Sequence, residues 1–262
     1  MPEGPEVENV VRTLAPHLIG QTVLSVQGWE GPVAGKTIRA VRRFGKYIVI
    51  DFDDGMLQVH LRMTGKLLYG GARTPYTRVE FTLDGGTLLF EDIRRFGRIR
   101  WSREMPEQGP DPLDMTASEF AAHLRGRRRQ LKPLLLDQKF LRGLGNIYVD
   151  ECLFAARLHP QLTAATLRPA QSRQLHAAIT AILQEAIAAG GSSISDYVDG
   201  DGRAGSFQER HQVYGRAGEP CRRCGAAIVR LVVTQRGTHI CPRCQRLGRQ
   251  HSGRQQKGIQ RK

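Results

Sequence analysis

The chain of 262 residues lacks any long apolar run and any basic amphipathic helix. These absences argue against a transmembrane or membrane-surface protein. No basic segment followed by an apolar one opens the chain, so the sequence predicts no signal peptide and a cytosolic protein. Acidic residues are few as well: 25 Asp and Glu stand against 39 Lys and Arg, which gives a formal net charge of +14. An excess of this size indicates a polyanionic partner, usually a nucleic acid.

Cysteine is scarce, with five residues in the chain, but four of them form the pattern C-x2-C-x16-C-x2-C. They are Cys221, Cys224, Cys241 and Cys244. Cytosolic thiols stay reduced, so paired cysteines indicate a metal site rather than disulfides. The spacing is typical of one structural Zn²⁺, and a redox pair or an iron–sulfur site are the alternatives. Cys152 is left over, and we expect it to be buried.

The spacing of apolar residues divides the chain into a strand-rich part and a helical part. Helical spacing predicts a helix over 5–18, where Pro5 suits the first turn. From about 20 to 100 a period of two, broken by turns such as DGG, predicts short strands in an antiparallel sandwich or barrel. A linker rich in proline and acid follows at 102–115, and helices follow the linker, the first of them with Thr116 as its predicted cap. A glycine-rich loop over 190–220 is long enough to be functional or disordered.

The first six residues, MPEGPE, contain two residues that the helix does not explain. Pro2 and Glu3 lie before its first turn. Removal of Met1 would leave Pro2 with a free secondary amine, whose pKa near 8 keeps a useful fraction neutral. Such an amine can attack the anomeric carbon of a sugar, and a neighbouring carboxylate can manage protons. The alternative is a proline that only protects the terminus.

Three further patterns indicate contacts with a polyanion, each with an ordinary structural alternative. In EDIRRFGRI an aromatic residue between arginines could stack or intercalate, or it could be a core residue of an edge strand. The glycines of GLGN precede a predicted helix, where backbone amides can bind a phosphate. Arg236 lies near the tip of a predicted hairpin between the cysteine pairs, where it could contact phosphate or be solvated.

Taken together, PEGPE, HLRMTGKL, RRFG, GLGNIYVDECLFAARLHP, QVYGRAGEPC and the four cysteines resemble bacterial formamidopyrimidine-DNA glycosylase, in order along the chain. The resemblance implies an α+β fold: an antiparallel two-layered β-sandwich with flanking helices, then a helix–two-turn–helix module and a β-hairpin zinc finger. The corresponding predicted units are 1–110 for the catalytic sandwich, 116–215 for the helical domain, 216–245 for the finger and 246–262 for a disordered basic tail.

The resemblance also implies the reaction. It predicts a monomeric, cytoplasmic bacterial enzyme of base-excision repair, both DNA glycosylase and AP lyase, with one structural zinc and no membrane association. Such an enzyme removes 8-oxoguanine and formamidopyrimidines from double-stranded DNA, or acts at an abasic site, and cuts by β,δ-elimination. Pro2 would be the Schiff-base nucleophile and Glu3 the proton donor. Lys46 would contact the phosphate beside the lesion, and Arg236 would serve the second elimination.

The remaining site residues implied by the resemblance contact DNA. Met63, Arg94 and Phe96 would fill the space left by the flipped nucleotide, with Arg94 paired to the orphaned cytosine. Met63 continues the every-second-residue spacing of Leu57, Val59 and Leu61, which would place it on the same buried face of a strand, so a core position remains the alternative for it. Asn146 would bind phosphate. Further DNA contacts are implied for Tyr76 and Arg127, and the stretch near 192–210 would cover the everted base.

Three positions depart from the family pattern: Gly4 replaces leucine, Ile93 replaces proline, and a tyrosine replaces histidine. PEGPE is common in the sister enzyme endonuclease VIII, which prefers oxidised pyrimidines. An endonuclease VIII-like glycosylase is therefore one alternative, and a non-catalytic DNA-binding zinc protein is another. HLRMTG and RRFG argue against the first, and Pro2–Glu3 at the terminus argues against the second.

Overall fold

The computed structural model describes residues 1–247. The predicted basic tail therefore lies almost wholly outside the described residues. The helices are α1 (Gly4–Leu18), α2 (Ala117–Leu124), α3 (Leu131–Leu135), α4 (Asn146–Ala155) and α5 (Pro169–Ala188). The strands are β1 (Val23–Gln27), β2 (Ala40–Phe44), β3 (Tyr47–Phe52), β4 (Gly55–His60), β5 (Gly65–Tyr69), β6 (Thr77–Leu83), β7 (Gly86–Asp92), β8 (Arg98–Ser102), β9 (Val229–Val233) and β10 (Arg236–Ile240).

Two four-stranded antiparallel sheets form the sandwich, with strand orders β1-β6-β7-β5 and β2-β3-β4-β8. Alternate residues of β6 are buried, as the period of two predicts. The DGG turn joins β6 to β7, where Leu83 pairs with Gly86. A single apolar core lies between the sheets and extends onto α1. β4 ends at His60, so Met63 falls in the following loop and not on the core face that its parity allowed.

Helix α1 begins one residue earlier than the sequence predicts and packs against both parts of the molecule. Its apolar stripe is buried, with Val7, Val10 and Leu14 at most 1% exposed. The Glu6 carboxylate accepts a hydrogen bond from the backbone N–H of Glu3 at 2.8 Å, which stabilises the first turn. The helix contacts β2 of one sheet on one side and α5 of the helical module on the other. The first residues of the chain therefore lie between two domains.

The helical module has its own core, built from α2 to α5 and the turns between them. Thr116 caps α2 by accepting from the N–H of Glu119, as the sequence predicts. The GLGN turn leads directly into α4, which is buried on all sides. Strands β9 and β10 then form the hairpin of the finger. The predicted α+β fold class is confirmed, while the exact unit boundaries stay a prediction. No helix of residues 1–247 combines the length and apolarity needed to cross a membrane.

A buried ion pair fastens the finger hairpin to the helical module. Lys132 Nζ donates to Asp150 Oδ1 at 2.6 Å, and both side chains are fully buried. The same ammonium donates to the carbonyl of Gly237 at 3.1 Å, and the other carboxylate oxygen accepts from the N–H of His239 at 2.8 Å. Each partner thus bonds both its counter-ion and the backbone of β10, which offsets the cost of burying the two charges.

We expect Lys132→Met to destabilise the protein by about 3–5 kcal/mol, because it leaves the Asp150 carboxylate buried without its counter-ion. Urea unfolding followed by circular dichroism measures the change. The matched control is Lys139→Met, which removes an exposed pair with Glu107 and should leave the midpoint unchanged. Equal midpoints for the two variants would show that the buried pair contributes little.

Candidate active site

Pro2 and Glu3 are both buried, and Glu3 lies at the start of helix α4, where its partner Ile147 is 144 residues further along the chain. Glu3 is 3% exposed, and its carboxylate accepts from the N–H of Ile147 at 3.0 Å and of Tyr148 at 3.4 Å. The N–H of Gly4 donates to the carbonyl of Gly143 at 2.8 Å. The anion at this helix start is therefore the protein's own carboxylate, where the sequence pattern alone indicated a phosphate.

Gly145 makes room for this contact. A Cβ built on Gly145 would lie 2.2 Å from Cδ of Glu3, a distance that no side chain could tolerate. The backbone there is extended, with φ −136° and ψ −161°, so glycine is needed for space and not for its conformation. The second glycine of GLGN thus admits Glu3 to the first amides of α4.

Burial sets the protonation of the site. Burial raises the pKa of Glu3 to about 7. The positive charge of Lys46 opposes this shift, because it favours the ionised carboxylate. Burial also lowers the pKa of Lys46, which is 6% exposed in the turn between β2 and β3. Arg236 and Arg62 lower it further, while Glu3 and Glu6 raise it. A carboxyl group with a pKa near neutral therefore lies within electrostatic reach of Lys46, and Lys46 lies within reach of two arginines.

Glu6 joins this site to the glycine-rich loop, a role that its position at a helix start did not reveal. Its carboxylate accepts from the N–H of Ser192 at 2.7 Å and from the hydroxyl of Tyr148, besides the N–H of Glu3. Burial raises its pKa. Ser192 also contacts Nε2 of His211 at 3.1 Å. From the sequence, Glu6 had only the ordinary role of an acidic residue at a helix start, because Tyr148 and Ser192 are 142 and 186 positions away.

The loop after α5 returns to the sandwich. Tyr197 belongs to the sandwich core, and its hydroxyl donates to the carbonyls of Glu6 and Gly190, each at 3.1 Å. The N–H of Gly200 donates to the Thr13 hydroxyl at 2.8 Å, and the Gly200 carbonyl accepts from the N–H of Tyr69. The loop that the resemblance assigns to covering the base is thus anchored along α1.

Asn146 and Arg236 meet at the edge of the finger. Asn146 Nδ2 donates to the carbonyl of Gly237 at 3.0 Å, next to Arg236 at the start of β10. Oδ1 of Asn146 is buried and has no hydrogen-bond partner among the described residues. Arg236 itself is exposed and close enough to influence the pKa of both Lys46 and Lys132. The structure therefore brings together Pro2, Glu3, Lys46, Asn146 and Arg236, from four separate parts of the chain.

Met63, Arg94 and Phe96 project from two adjacent loops of the sandwich. Met63 is 43% and Phe96 49% exposed, which rules out a core position for either. The guanidinium of Arg94 lies over the Phe96 ring, 4.7 Å from its centre. The N–H of Arg94 donates to the hydroxyl of Thr64, the neighbour of Met63, at 3.2 Å. Three residues that the sequence could connect only by family resemblance thus form one exposed group.

The two remaining predicted contacts lie on different units. Tyr76 is 47% exposed, and its carbonyl accepts from the N–H of Asp92 at 3.0 Å, which places it beside the loop of Arg94. Arg127 is exposed on the helical module, where it donates to the carbonyl of His123 and lies over Phe140. Its described contacts are all within that module.

The four cysteines converge at the base of the finger. Their sulfur atoms all lie within 4.8 Å of one another, and Cys221 and Cys241 pack into a small core with Phe154, Val213 and Ile228. Four thiolates at this separation suit a single tetrahedral Zn²⁺ and leave no ligand position free for catalysis. The prediction of one structural zinc is confirmed, and Cys152 is buried elsewhere, as expected.

We expect Gly145→Ala to push the Glu3 carboxylate off the start of α4. Loss of charge-assisted hydrogen bonds should speed amide hydrogen exchange at Ile147 and Tyr148 about ten-fold. The amides of Val213 and Tyr214, which bond the Glu151 carboxylate in the same way, are the internal control and should stay protected. Unchanged exchange at Ile147 and Tyr148 would show that Glu3 does not need the space.

Comparison with protein families matches three successive parts of the chain. Residues 1–99 match the formamidopyrimidine-DNA glycosylase N-terminal domain, and residues 108–198 match the H2TH domain of the same enzyme. Residues 218–247 match the zinc finger found in FPG and IleRS.

Individual relatives match the chain over almost its whole length. The formamidopyrimidine-DNA glycosylase of Solibacter usitatus is 47% identical, covering 94% of this chain and 100% of the relative, and that of Chloroflexus aurantiacus is 44% identical, covering 94% and 98%. The crystal structure of the MutM (FPG) protein of Thermus thermophilus superposes with a TM-score of 0.85 at 41% identity, covering 93% of this chain and 98% of that one. A complex of Lactococcus lactis Fpg with DNA containing an abasic site gives 0.86 at 36%, covering 94% and 100%. This chain belongs to the formamidopyrimidine-DNA glycosylase family.

Proposed function

We propose that this protein is a DNA glycosylase and AP lyase of base-excision repair that removes oxidised purines from duplex DNA. The observation that carries the proposal is the burial of Glu3, with a pKa near 7, beside Pro2 at the start of α4. A DNA-binding protein without chemistry needs no such carboxyl group at its terminus. The relatives support the substrate class: a mutant of Lactococcus lactis FPG is known in a complex with DNA containing Fapy-dG, and Lactococcus lactis Fpg is known in a complex with DNA containing an abasic site.

Pro2 is proposed as the nucleophile once Met1 is removed. Its nitrogen forms a bond to C1′ of the damaged nucleotide, the glycosidic bond breaks, and the departing base takes a proton from Glu3. The bound amine loses its proton, and its lone pair then expels O4′ from C1′; O4′ takes up a proton as the sugar ring opens, which leaves the iminium of a Schiff base. Withdrawal of electrons by the iminium acidifies C2′–H, so a proton leaves C2′ and the 3′ phosphate departs. A second elimination then releases the 5′ phosphate.

The residues around Pro2 and on the exposed loops of the sandwich are proposed to hold the DNA in place for this chemistry. A base inside the helix hides its sugar carbon, so the nucleotide must turn out of the stack. Lys46, Asn146 and Arg236 are positioned to bind phosphates near Pro2. The exposed group of Met63, Arg94 and Phe96 fills the gap, and Tyr76 and Arg127 extend the contact. The charge of +14 supplies attraction that does not depend on sequence.

A second candidate, an endonuclease VIII-like enzyme for oxidised pyrimidines, rests on Gly4. The structure offers a local reason for glycine at this position. A Cβ on Gly4 would lie 3.3 Å from the carbonyl oxygen of Gly143, a tight contact at the point where the terminus docks on GLGN. The packing of the terminus thus accounts for Gly4 independently of the lesion.

We infer further that the protein acts as a monomer in the bacterial cytoplasm, since one chain carries every group of the proposed reaction.

Strand cleavage on four duplexes tests the substrate. They carry 8-oxoguanine or an oxidised pyrimidine, each opposite cytosine or adenine. We expect 8-oxoguanine opposite cytosine to be cleaved roughly ten- to a hundred-fold faster than opposite adenine, because a wrong partner leaves Arg94 mismatched. Arg94→Ala should flatten this preference, while Lys46→Ala should weaken binding equally for both partners.

The control for general loss of charge is Arg39→Ala, which removes an exposed arginine paired with Asp53 and should change neither preference nor rate. A preference for the oxidised pyrimidine would assign the protein to the endonuclease VIII branch. If protein with a verified Pro2 terminus cleaved none of the duplexes, the result would contradict the proposal that it is a DNA glycosylase and AP lyase.

The pH profile of base excision tests the role of Glu3. The reactive form needs a neutral Pro2 amine, whose pKa lies near 8, and a protonated Glu3, whose pKa is about 7. The product of the two fractions is largest between about pH 7 and 8 and falls on both sides. In single-turnover excision of 8-oxoguanine, the Glu3→Gln variant should lose most of its activity. Its residual rate should also no longer fall at alkaline pH, the alkaline limb of the profile, because Glu3 is not there to ionise. An unchanged alkaline limb in the residual activity would show that another group donates the proton.

A further inference from the structure

Asp92, the last residue of β7, has no role in the proposed chemistry, yet its carboxylate accepts three hydrogen bonds. It is 1% exposed. Its Oδ1 accepts from the hydroxyl of Thr64 and from the N–H of Arg94 at 3.2 Å, and its Oδ2 accepts from the N–H of Gly97 at 2.7 Å. The Arg94 N–H also reaches the Thr64 hydroxyl. One carboxylate thus joins the loop of Met63 to the loop of Arg94 and Phe96.

The main chain of Asp92 connects a third segment. Its N–H donates to the carbonyl of Tyr76 at 3.0 Å, and its carbonyl accepts from Nε of Arg78 at 2.9 Å. Tyr76 is the fourth residue proposed to contact DNA on this face. All three segments that carry these residues are therefore hydrogen-bonded to a single buried residue.

Each of the two loops held by Asp92 contains a residue in an unfavourable backbone conformation. Arg62 and Arg95 have φ of +56° and +58°, in the left-handed region that side chains disfavour. Arg62 lies next to Met63 in one loop, and Arg95 lies between Arg94 and Phe96 in the other. Gly97 packs too closely for a side chain, since a Cβ there would lie 2.5 Å from the Phe90 ring. The bonds to the carboxylate hold both loops in these conformations without DNA.

We propose that Asp92 is a positioning residue that fixes Met63, Arg94 and Phe96 as one rigid unit for reading the base opposite the lesion. This inference rests on the proposed function of those three residues. Their side chains stay exposed while their backbones are fixed, so little conformational freedom is lost when they enter the DNA. Without the carboxylate, the loops can bind DNA in several arrangements, and a mismatched partner is then rejected less strongly.

Three variants separate positioning from general damage. Asp92→Asn keeps the size but places an amide donor among three donors. Thr64→Val removes the bridging hydroxyl at similar volume, whereas Thr64→Ser retains it and should restore wild-type behaviour. The first readout is binding to duplexes with a tetrahydrofuran abasic analogue opposite cytosine or adenine, which needs no catalysis. The second is nicking of a single-stranded abasic oligonucleotide, which has no opposite base.

We expect Asp92→Asn and Thr64→Val to reduce the preference for cytosine over adenine in binding by about ten-fold, with single-strand nicking within about two-fold of wild type. Thr64→Ser should keep the preference. An unchanged preference in Asp92→Asn overturns the inference, and so does an equal loss of binding preference and single-strand nicking, which would indicate a damaged sandwich. Binding preference in the wild type without any excision would contradict the proposed function alone, while absence of preference in the wild type would contradict the inference.

Discussion

The burial of one carboxylate, Glu3, against the first amides of α4 is the interaction on which the rest of the site depends. Removing a carboxylate from water is costly, and two backbone N–H groups and the positive end of the helix dipole offset part of this cost, so that the pKa of Glu3 remains raised. GLGN supplies the space, because Gly145 has no Cβ to collide with Glu3. A chain terminus that would otherwise fray is thereby held at one place between two domains.

Other buried polar contacts position the remaining units around this terminus. Glu6 bonds α4 and the loop after α5, so the start of α1 is attached to the helical module at two points. Lys132 and Asp150 attach the finger hairpin to the same module and thereby place Arg236 near Lys46. A zinc ion held by the four cysteines would stabilise the base of this hairpin. In the proposed reaction, these residues from distant parts of the sequence act on a single sugar and its flanking phosphates.

Local features of the fold were accessible from the sequence because they depend on neighbours along the chain. The start of α1 near Pro5, the cap at Thr116, the β6–β7 turn and the zinc ligands all follow from short-range patterns. Contacts between distant residues were not accessible: periodicity could not show that Glu3 occupies the start of α4 or that Glu6 meets Ser192. Asp92 was equally hidden, since an acidic residue at a strand end is usually solvated. Only family resemblance grouped Met63 with Arg94 and Phe96.

The most direct measurement of the central claim is reductive trapping with borohydride on abasic or 8-oxoguanine DNA, followed by peptide mapping of the adduct. Reduction fixes the iminium, so the account predicts a covalent complex whose DNA is attached to the nitrogen of Pro2. One extra residue before Pro2 should abolish trapping while leaving the fold intact. An adduct on an internal lysine such as Lys46, or full trapping by the extended chain, would contradict the assignment of the nucleophile.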